Sequence, residues 1–217
     1  AGRDVYDATT PDVEVPDYEN LLKNAPKKCR IGLPKEFFAE GIDKEVKECV
    51  LNAAKTLEKL GHSIEEVSIP AVPYAVACYY LVAPAETSSN LARFDGIRYG
   101  DARGVFGDEA KRRIMIGTYA LSSGYYDAYY AKGQKVRTVI KEQFENLFKD
   151  VDMLLAPTTP TPPFKIGKKA SDPLSMYLSD AFTIPVSLAG LPSLALPAGF
   201  SSGNLPIGMQ LIGPQFN

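Results

Sequence analysis

The 217-residue sequence predicts an α/β fold built on a mixed sheet, and three observations carry that prediction. A short strand, a helix and a second strand follow one another between Cys29 and Ile69. A later apolar run, "VDMLLAP", suits a buried strand. The tail "PSLALPAGF" and "IGMQLIG" reads as two strands joined by the turn "SSGNLP". With 45% hydrophobic residues, a single domain with one sizeable core is the expectation.

Strand, helix and strand in close order form a right-handed βαβ unit, hence a parallel pair of strands. The first strand spans about Cys29 to Leu33, and Pro34 stops it. In the helix, Val46, Cys49, Val50, Ala53, Leu57 and Leu60 fall at i, i+3, i+4, i+7, i+11 and i+14, between Asp43 as N-cap and Gly61 as C-cap. "HSIEEVSI" supplies the second strand. Two further helices are expected over 71–93 and 107–131, the second of them long. Val136, Val139, Ile140, Phe144, Leu147 and Phe148 mark a third. The hairpin of the tail adds an antiparallel edge to the sheet. Residues 1–26, with Pro11, Pro16 and Pro26, read as an extended arm or connection, and 27–217 as the folded unit. The prolines of "APTTPTPPF" make a rigid extended link.

A net charge of −2 gives no electrostatic case for nucleic-acid or membrane binding, so any nucleic acid has to be held by a partner. Cys29, Cys49 and Cys78 are too scattered for a metal site or a disulfide framework, and read as reduced thiols of a cytoplasmic protein. No secretory leader or membrane-spanning run is visible. His62, the single histidine, sits in the turn "LGHSI" between two core elements, a poor place for a catalytic base. No glycine-rich nucleotide loop is present.

Ser122 and Ser123, in "GTYALSSGYYDAYY", lie within a helical pattern and away from any strand-to-helix elbow that would activate a nucleophile. Gly117, Ala120, Gly124 and Ala128 share a small-residue face with Arg113, on which another backbone can approach. Leu121, Tyr125 and Tyr129 form the neighbouring face. Arg113 calls for a planar partner, either a substrate carboxylate or an ordinary Asp or Glu. Asp180 either caps the following turn or receives a substrate ammonium.

The strings "AETSSNLARFDGIRYG", "KRRIMIGTYALSSGYYDAYYAKGQKVR", "DMLLAPTTPTPPF", "DPLSMYLSDAFTIPVSLAGLPSLALPAG" and "PIGMQLIG" run nearly the whole chain in order. Together they closely resemble the later part of the amidase signature family, and within it the glutaminase subunits of tRNA-dependent amidotransferases. The resemblance implies a mixed-sheet α/β/α sandwich, incomplete in this chain. It also implies a glutaminase half-reaction in which a Ser-Ser-Lys triad attacks the glutamine side-chain amide. The freed ammonia passes to a partner that uses ATP and Mg to activate and amidate Glu-tRNA(Gln). A lysine base agrees with the poorly placed His62.

Three positions match the family's glutamine-recognition residues. Tyr79 in "ACYYLVAPAE" corresponds to a substrate-contacting tyrosine, with Tyr80 its rival. Arg113 corresponds to the holder of the α-carboxylate and Asp180 to the holder of the α-ammonium. The Gly- and Ser-rich segment that carries the triad has no counterpart here, so this portion is expected to lack the nucleophile and base and to be inactive alone. It is expected to hold no cofactor of its own, and to work with B and C subunits that bring ATP, Mg and tRNA. The link from "RYG" to "FGDEAKRRI" is shorter than is usual in the family. A free-standing amidase with another amide substrate, or a non-catalytic assembly module, are the alternatives. Self-association of the isolated portion is expected, because absent strands would leave sheet edges open.

Overall fold

Five strands form one sheet in the order β2-β1-β3-β5-β4. The computed structural model describes residues 2–24, 26–98, 100–169 and 171–216; Tyr99, in the first string that carries the resemblance, lies outside them. The strands are β1 (Arg30–Pro34), β2 (Ser63–Val67), β3 (Met153–Pro157), β4 (Ser193–Phe200) and β5 (Pro206–Ile212). β1 pairs in parallel with β2 and with β3, while β5 runs antiparallel to both β3 and β4. The mixed sheet of the sequence reading is therefore present, with the terminal hairpin at one edge.

The helices are α1 (Tyr18–Lys23), α2 (Lys44–Lys59), α3 (Ala75–Leu91), α4 (Asp108–Ala120), α5 (Lys132–Leu147), α6 (Pro173–Tyr177) and α7 (Ile184–Ala189). Successive β3 side chains point to opposite faces, which divides the core in two. Leu155 packs with Ile31, Val50 and Ala54 under α2. Leu154 and Ala156 pack with Val82, Ile140, Phe144 and Val186 under α3, α5 and α7. Helices thus cover both faces of the sheet, the α/β/α arrangement.

The βαβ unit forms where the sequence places it. Asp43 accepts from the Glu45 amide at 2.8 Å and caps α2. The far end carries a Schellman closure: the Gly61 amide donates to Glu58 O and the His62 amide to Leu57 O, with Gly61 at φ +99°. The C-cap itself is Leu60, one residue before the expected glycine. Pro34 belongs to β1 instead of ending it before that point. His62 Nδ1 accepts from the Cys29 amide at 3.1 Å, which gives the histidine a structural task at the start of β1.

Three expectations are corrected. The 71–93 helix opens as a 3-10 turn at Val72–Tyr74 and becomes α-helical at Ala75. The long 107–131 helix is two pieces. α4 ends at Ala120, a turn follows, and Tyr126–Ala131 is a π-helical segment that runs into α5. Ser-Ser-Gly is the physical reason for the break. Ser122 Oγ donates to Tyr119 O at 2.7 Å and competes with the helix ladder, while Gly124 adopts φ +83°. Gly124 and Ala128 therefore leave the small-residue face, which reduces to Gly117 and Ala120, both buried. The aromatic neighbours become an exposed cluster of Tyr119, Tyr125 and Tyr129, with the first two rings 4.4 Å apart. The arm is also not wholly extended, since it contains α1, capped by Asp17.

Among the described glycines, Gly117 has the closest neighbour. A Cβ built there would lie 1.9 Å from Pro84 O, so α4 meets α3 backbone to backbone. Gly117→Ala is expected to lower the urea midpoint, because overpacking of about 1–3 kcal/mol outweighs the helix propensity that alanine returns. Gly104→Ala, where a Cβ meets nothing within 4 Å, should leave the midpoint in place. β4 is an eight-residue edge strand with Leu194 59% and Phe200 64% exposed. In a dilution series by light scattering, the isolated chain is expected to gain apparent mass with concentration and Leu194→Lys to suppress the gain; a constant 23.6 kDa would contradict the open edge.

Candidate functional site

A cavity of about 400 Å³ opens where α3, the start of α4 and the 172–180 segment meet. Tyr80, Glu109, Arg112, Arg113, Tyr177 and Asp180 are among the residues on its wall. Arg113 sits one turn before Gly117, so the close helix contact carries its guanidinium onto the tyrosines of α3. Its carbon lies 5.4 Å from the Tyr80 ring centre, 5.9 Å from Tyr79 and 6.0 Å from Tyr177, within cation–π range. Nη1 donates to the Tyr79 hydroxyl at 3.1 Å, and Nε donates to Glu109 Oε1 at 2.9 Å.

Glu109 collects three side chains. Besides Arg113 it accepts from Arg112 Nη1 and, at 2.9 and 3.2 Å, from the Tyr177 hydroxyl. Burial pushes the Glu109 carboxyl up, but the hydrogen bonds from Arg113, Tyr177 and Arg112 outweigh it and hold it below the usual value. Burial likewise opposes the charge on Arg113, and the bonds to Glu109 and Tyr79 prevail, so the cation is secured although its side chain is only 28% exposed.

The 172–180 segment brings the acid. Asp172 caps α6 by accepting from the Ser175 amide, and a 3-10 turn, Leu178–Asp180, follows. The Asp180 backbone oxygen accepts from the Thr183 amide at 3.1 Å, while its carboxylate makes no salt bridge or hydrogen bond among the described residues. The capping alternative for Asp180 therefore fails. The carboxylate is exposed and on the cavity wall. Gln210, 2% exposed in β5, anchors the segment from behind. Its Nε2 donates to Phe182 O at 2.9 Å and to Pro157 O at 3.0 Å, and Oε1 accepts from Ser193 Oγ.

The two tyrosines divide the work. Tyr79 is committed to Arg113, whereas Tyr80 stacks on Tyr177 at 4.1 Å and its hydroxyl is buried with no hydrogen-bond partner among the described residues. Burial first, with the Asp180 carboxylate adding to it and Arg113 opposing, pushes the Tyr80 phenol up to about 12. Ser122 and Ser123 are not part of this wall. Among the described residues no group of His, Cys, Asp and Glu is placed to hold a metal, and no helix is long and apolar enough to cross a membrane.

Sequence reasoning missed Glu109, Tyr177 and Gln210. Glu109 had a signal, its position four residues before Arg113 on one helix. Gln210, polar amid the apolar run "IGMQLIG", had a weaker one. Tyr177 had none, because it meets Glu109 across 68 residues of chain.

The fold is a two-sided α/β sandwich, and Arg113 and Asp180 share a small-molecule-sized cavity whose wall also carries Asp108, Glu109, Arg112 and Lys169. A family model described as amidase matches residues 1–217, and the chain belongs to that family. It is similar to the A subunit of glutamyl-tRNA(Gln) amidotransferase from Halothermothrix orenii, at 54% identity over 231 residues, and to that from Carboxydothermus hydrogenoformans, at 56% over 232. Each match takes in 100% of this chain and 48% of the relative, so the chain spans about half the length of the curated relatives it matches. The crystal structure of the corresponding Thermotoga maritima protein superposes with a TM-score of 0.78 at 44% identity, over 99% of this chain and 45% of that one. A bacterial aryl acylamidase, at 24% identity and a TM-score of 0.75, shares the fold over 99% of this chain and 46% of its own.

Tyr80→Phe is expected to leave stability equal or raised by up to about 1 kcal/mol at neutral pH, since it removes a buried hydroxyl without a partner. Tyr79→Phe, which breaks a bond to a cation, is expected to lose about 1 kcal/mol. With its pKa raised in the fold, Tyr80 carries no ionisation penalty below the ordinary value of 10.0 and costs stability progressively as pH rises from there toward about 12. Urea unfolding at neutral and alkaline pH checks both, and Tyr80→Phe should flatten the alkaline loss.

Proposed function

We propose that this chain is part of the glutaminase subunit of a glutamyl-tRNA(Gln) amidotransferase and carries its glutamine-recognition pocket. The observation that supports this most directly is the pairing of a secured cation, Arg113, with an acid, Asp180, that has no ion-pair partner among the described residues, on one cavity. An amino-acid zwitterion needs that combination, whereas a neutral amide has no use for both charges.

In this reading Arg113 takes the α-carboxylate through the guanidinium hydrogens that Glu109 and Tyr79 leave free. Asp180 takes the α-ammonium and Tyr80 bounds the site, while Tyr79, which is not among the residues lining the cavity, acts by holding Arg113. The side-chain amide then extends toward the part of the enzyme that lies outside this sequence. A serine there, deprotonated through the second serine and the lysine of the triad, attacks the amide carbon. The C–N bond breaks, the departing nitrogen takes a proton and leaves as ammonia, and water releases glutamate from the acyl-enzyme. Fixing both charges of the substrate orients the carbonyl, and displacement by about 1 Å costs roughly 100-fold in rate. The ammonia is consumed in a partner complex of B and C subunits that supplies ATP and Mg and holds the tRNA. The reaction belongs to the cytoplasm, where translation takes place.

Arg113→Ala in the intact enzyme, assembled with its partners, is expected to lower glutamine-dependent amidation roughly 100-fold while amidation from added ammonia survives. Equal loss of both activities would remove Arg113 from glutamine recognition.

A further inference from the structure

Of the charged side chains on the cavity wall, Arg113 and Asp180, the pair assigned to the substrate, stand on separate pieces of chain. Arg113 belongs to α4, which Gly117 locks to α3. Asp180 closes a short, largely exposed segment, with Leu174 and Leu178 open to solvent. Gln210 holds that segment at Phe182, behind Asp180, and Lys169 donates to Ser179 Oγ at 2.6 Å from within the same stretch of chain. Across the cavity, the hydrogen bonds joining the segment to α4 run from the Tyr177 hydroxyl to the two oxygens of Glu109. The Tyr177 ring also rests on Tyr80.

Glu109 has an ordinary explanation for its bonds to Arg112 and Arg113, since such pairs three and four residues apart are common on helices and contribute little. That explanation does not reach Tyr177. One carboxylate grips Arg113 at Nε, which fixes the rotation of the guanidinium plane, and the same carboxylate grips the residue three before Asp180. The position of the acid is thereby referred to the position of the cation.

We propose that Glu109 and Tyr177 are positioning residues which set the separation between Arg113 and Asp180, and so make the pocket selective for substrates bearing carboxylate and ammonium on one carbon. This rests on the glutamine reading above. With the clamp intact, the Tyr177–Glu109 bonds hold the turn that carries Asp180 against the helix that carries Arg113. With the clamp released, Arg113 keeps its contacts to Tyr79 and Tyr80, but Asp180 is free to drift and the ammonium loses its partner.

The test uses the full amidotransferase complex and two amides, glutamine and glutaramate, which has the carboxylate and the amide but no ammonium. The ratio of their KM values is read on one preparation, so any unfolded fraction cancels. In the unsubstituted enzyme glutaramate should have the higher KM. Tyr177→Phe, which keeps the ring on Tyr80, is expected to raise the glutamine KM about tenfold and to shrink the ratio toward that of Asp180→Asn, with kcat changed far less. Glu109→Gln should shrink the ratio as well. An unchanged ratio in Tyr177→Phe, alongside a collapsed one in Asp180→Asn, overturns the clamp and leaves the glutamine reading standing. A ratio unmoved by Asp180→Asn overturns the glutamine reading itself and the clamp with it.

Discussion

The contact of Gly117 with the Pro84 carbonyl organises this molecule more than any other. Two helices touch there through their backbones, at a spacing that no side chain larger than hydrogen permits. Pro84 sits inside α3 and lacks the amide that would have bonded to the preceding turn. Just upstream on each helix, the approach sets Arg113 above the rings of Tyr79 and Tyr80. The cation is then half-buried against aromatic faces, with its polar edge left to Glu109 and Tyr79. A wider helix pair would put the same arginine in water, where its bonds are exchanged freely for hydration.

The second wall is held by different physics. Gln210 is a neutral amide in a strand, and it satisfies two carbonyls and one hydroxyl at once without introducing charge into the core. A carboxylate there would have met two carbonyl oxygens, and an alkyl chain would have left them both unpaired. One wall of the cavity is therefore fixed by steric approach and the other by polar satisfaction. Between them lie a stack of tyrosines and a buried hydroxyl, that of Tyr80, for which the described residues offer no partner.

Much of the scaffold was legible in the sequence because it rests on local patterns. The apolar spacing of α2, the Asp43 cap, Gly61 at the left-handed position and the hairpin of β4 and β5 each follow from a few neighbouring residues. The break after Ala120 was not, since "SSG" interrupts a run whose aromatic spacing still reads as helix, and the Ser122 hydroxyl bond together with Gly124 at positive φ decides the matter. For the site, charge type alone marked Arg113 and Asp180 as unusual, and their roles came from resemblance. That they share a cavity, and that Glu109 and Tyr177 stand between them, is a property of tertiary contact across 68 residues, which no local spacing encodes.

The π-helical stretch Tyr126–Ala131 has a consequence for how the chain tolerates change. A π turn is an α-helix carrying one residue more than its pitch requires, so it works as a phase shifter for everything downstream. Without it, each residue of α5 would rotate by about 100°. Gly133, whose missing side chain makes room for Val82 and whose carbonyl accepts from the Cys78 thiol, would turn away and present a bulkier neighbour to α3. Loss of one residue between Tyr126 and Ala131 would thus disturb packing a full turn or more away, whereas substitutions of the exposed side chains there would pass almost unnoticed. In that stretch the count of residues matters as much as the identity of Tyr130, which packs against the core and accepts from Gln134 Nε2.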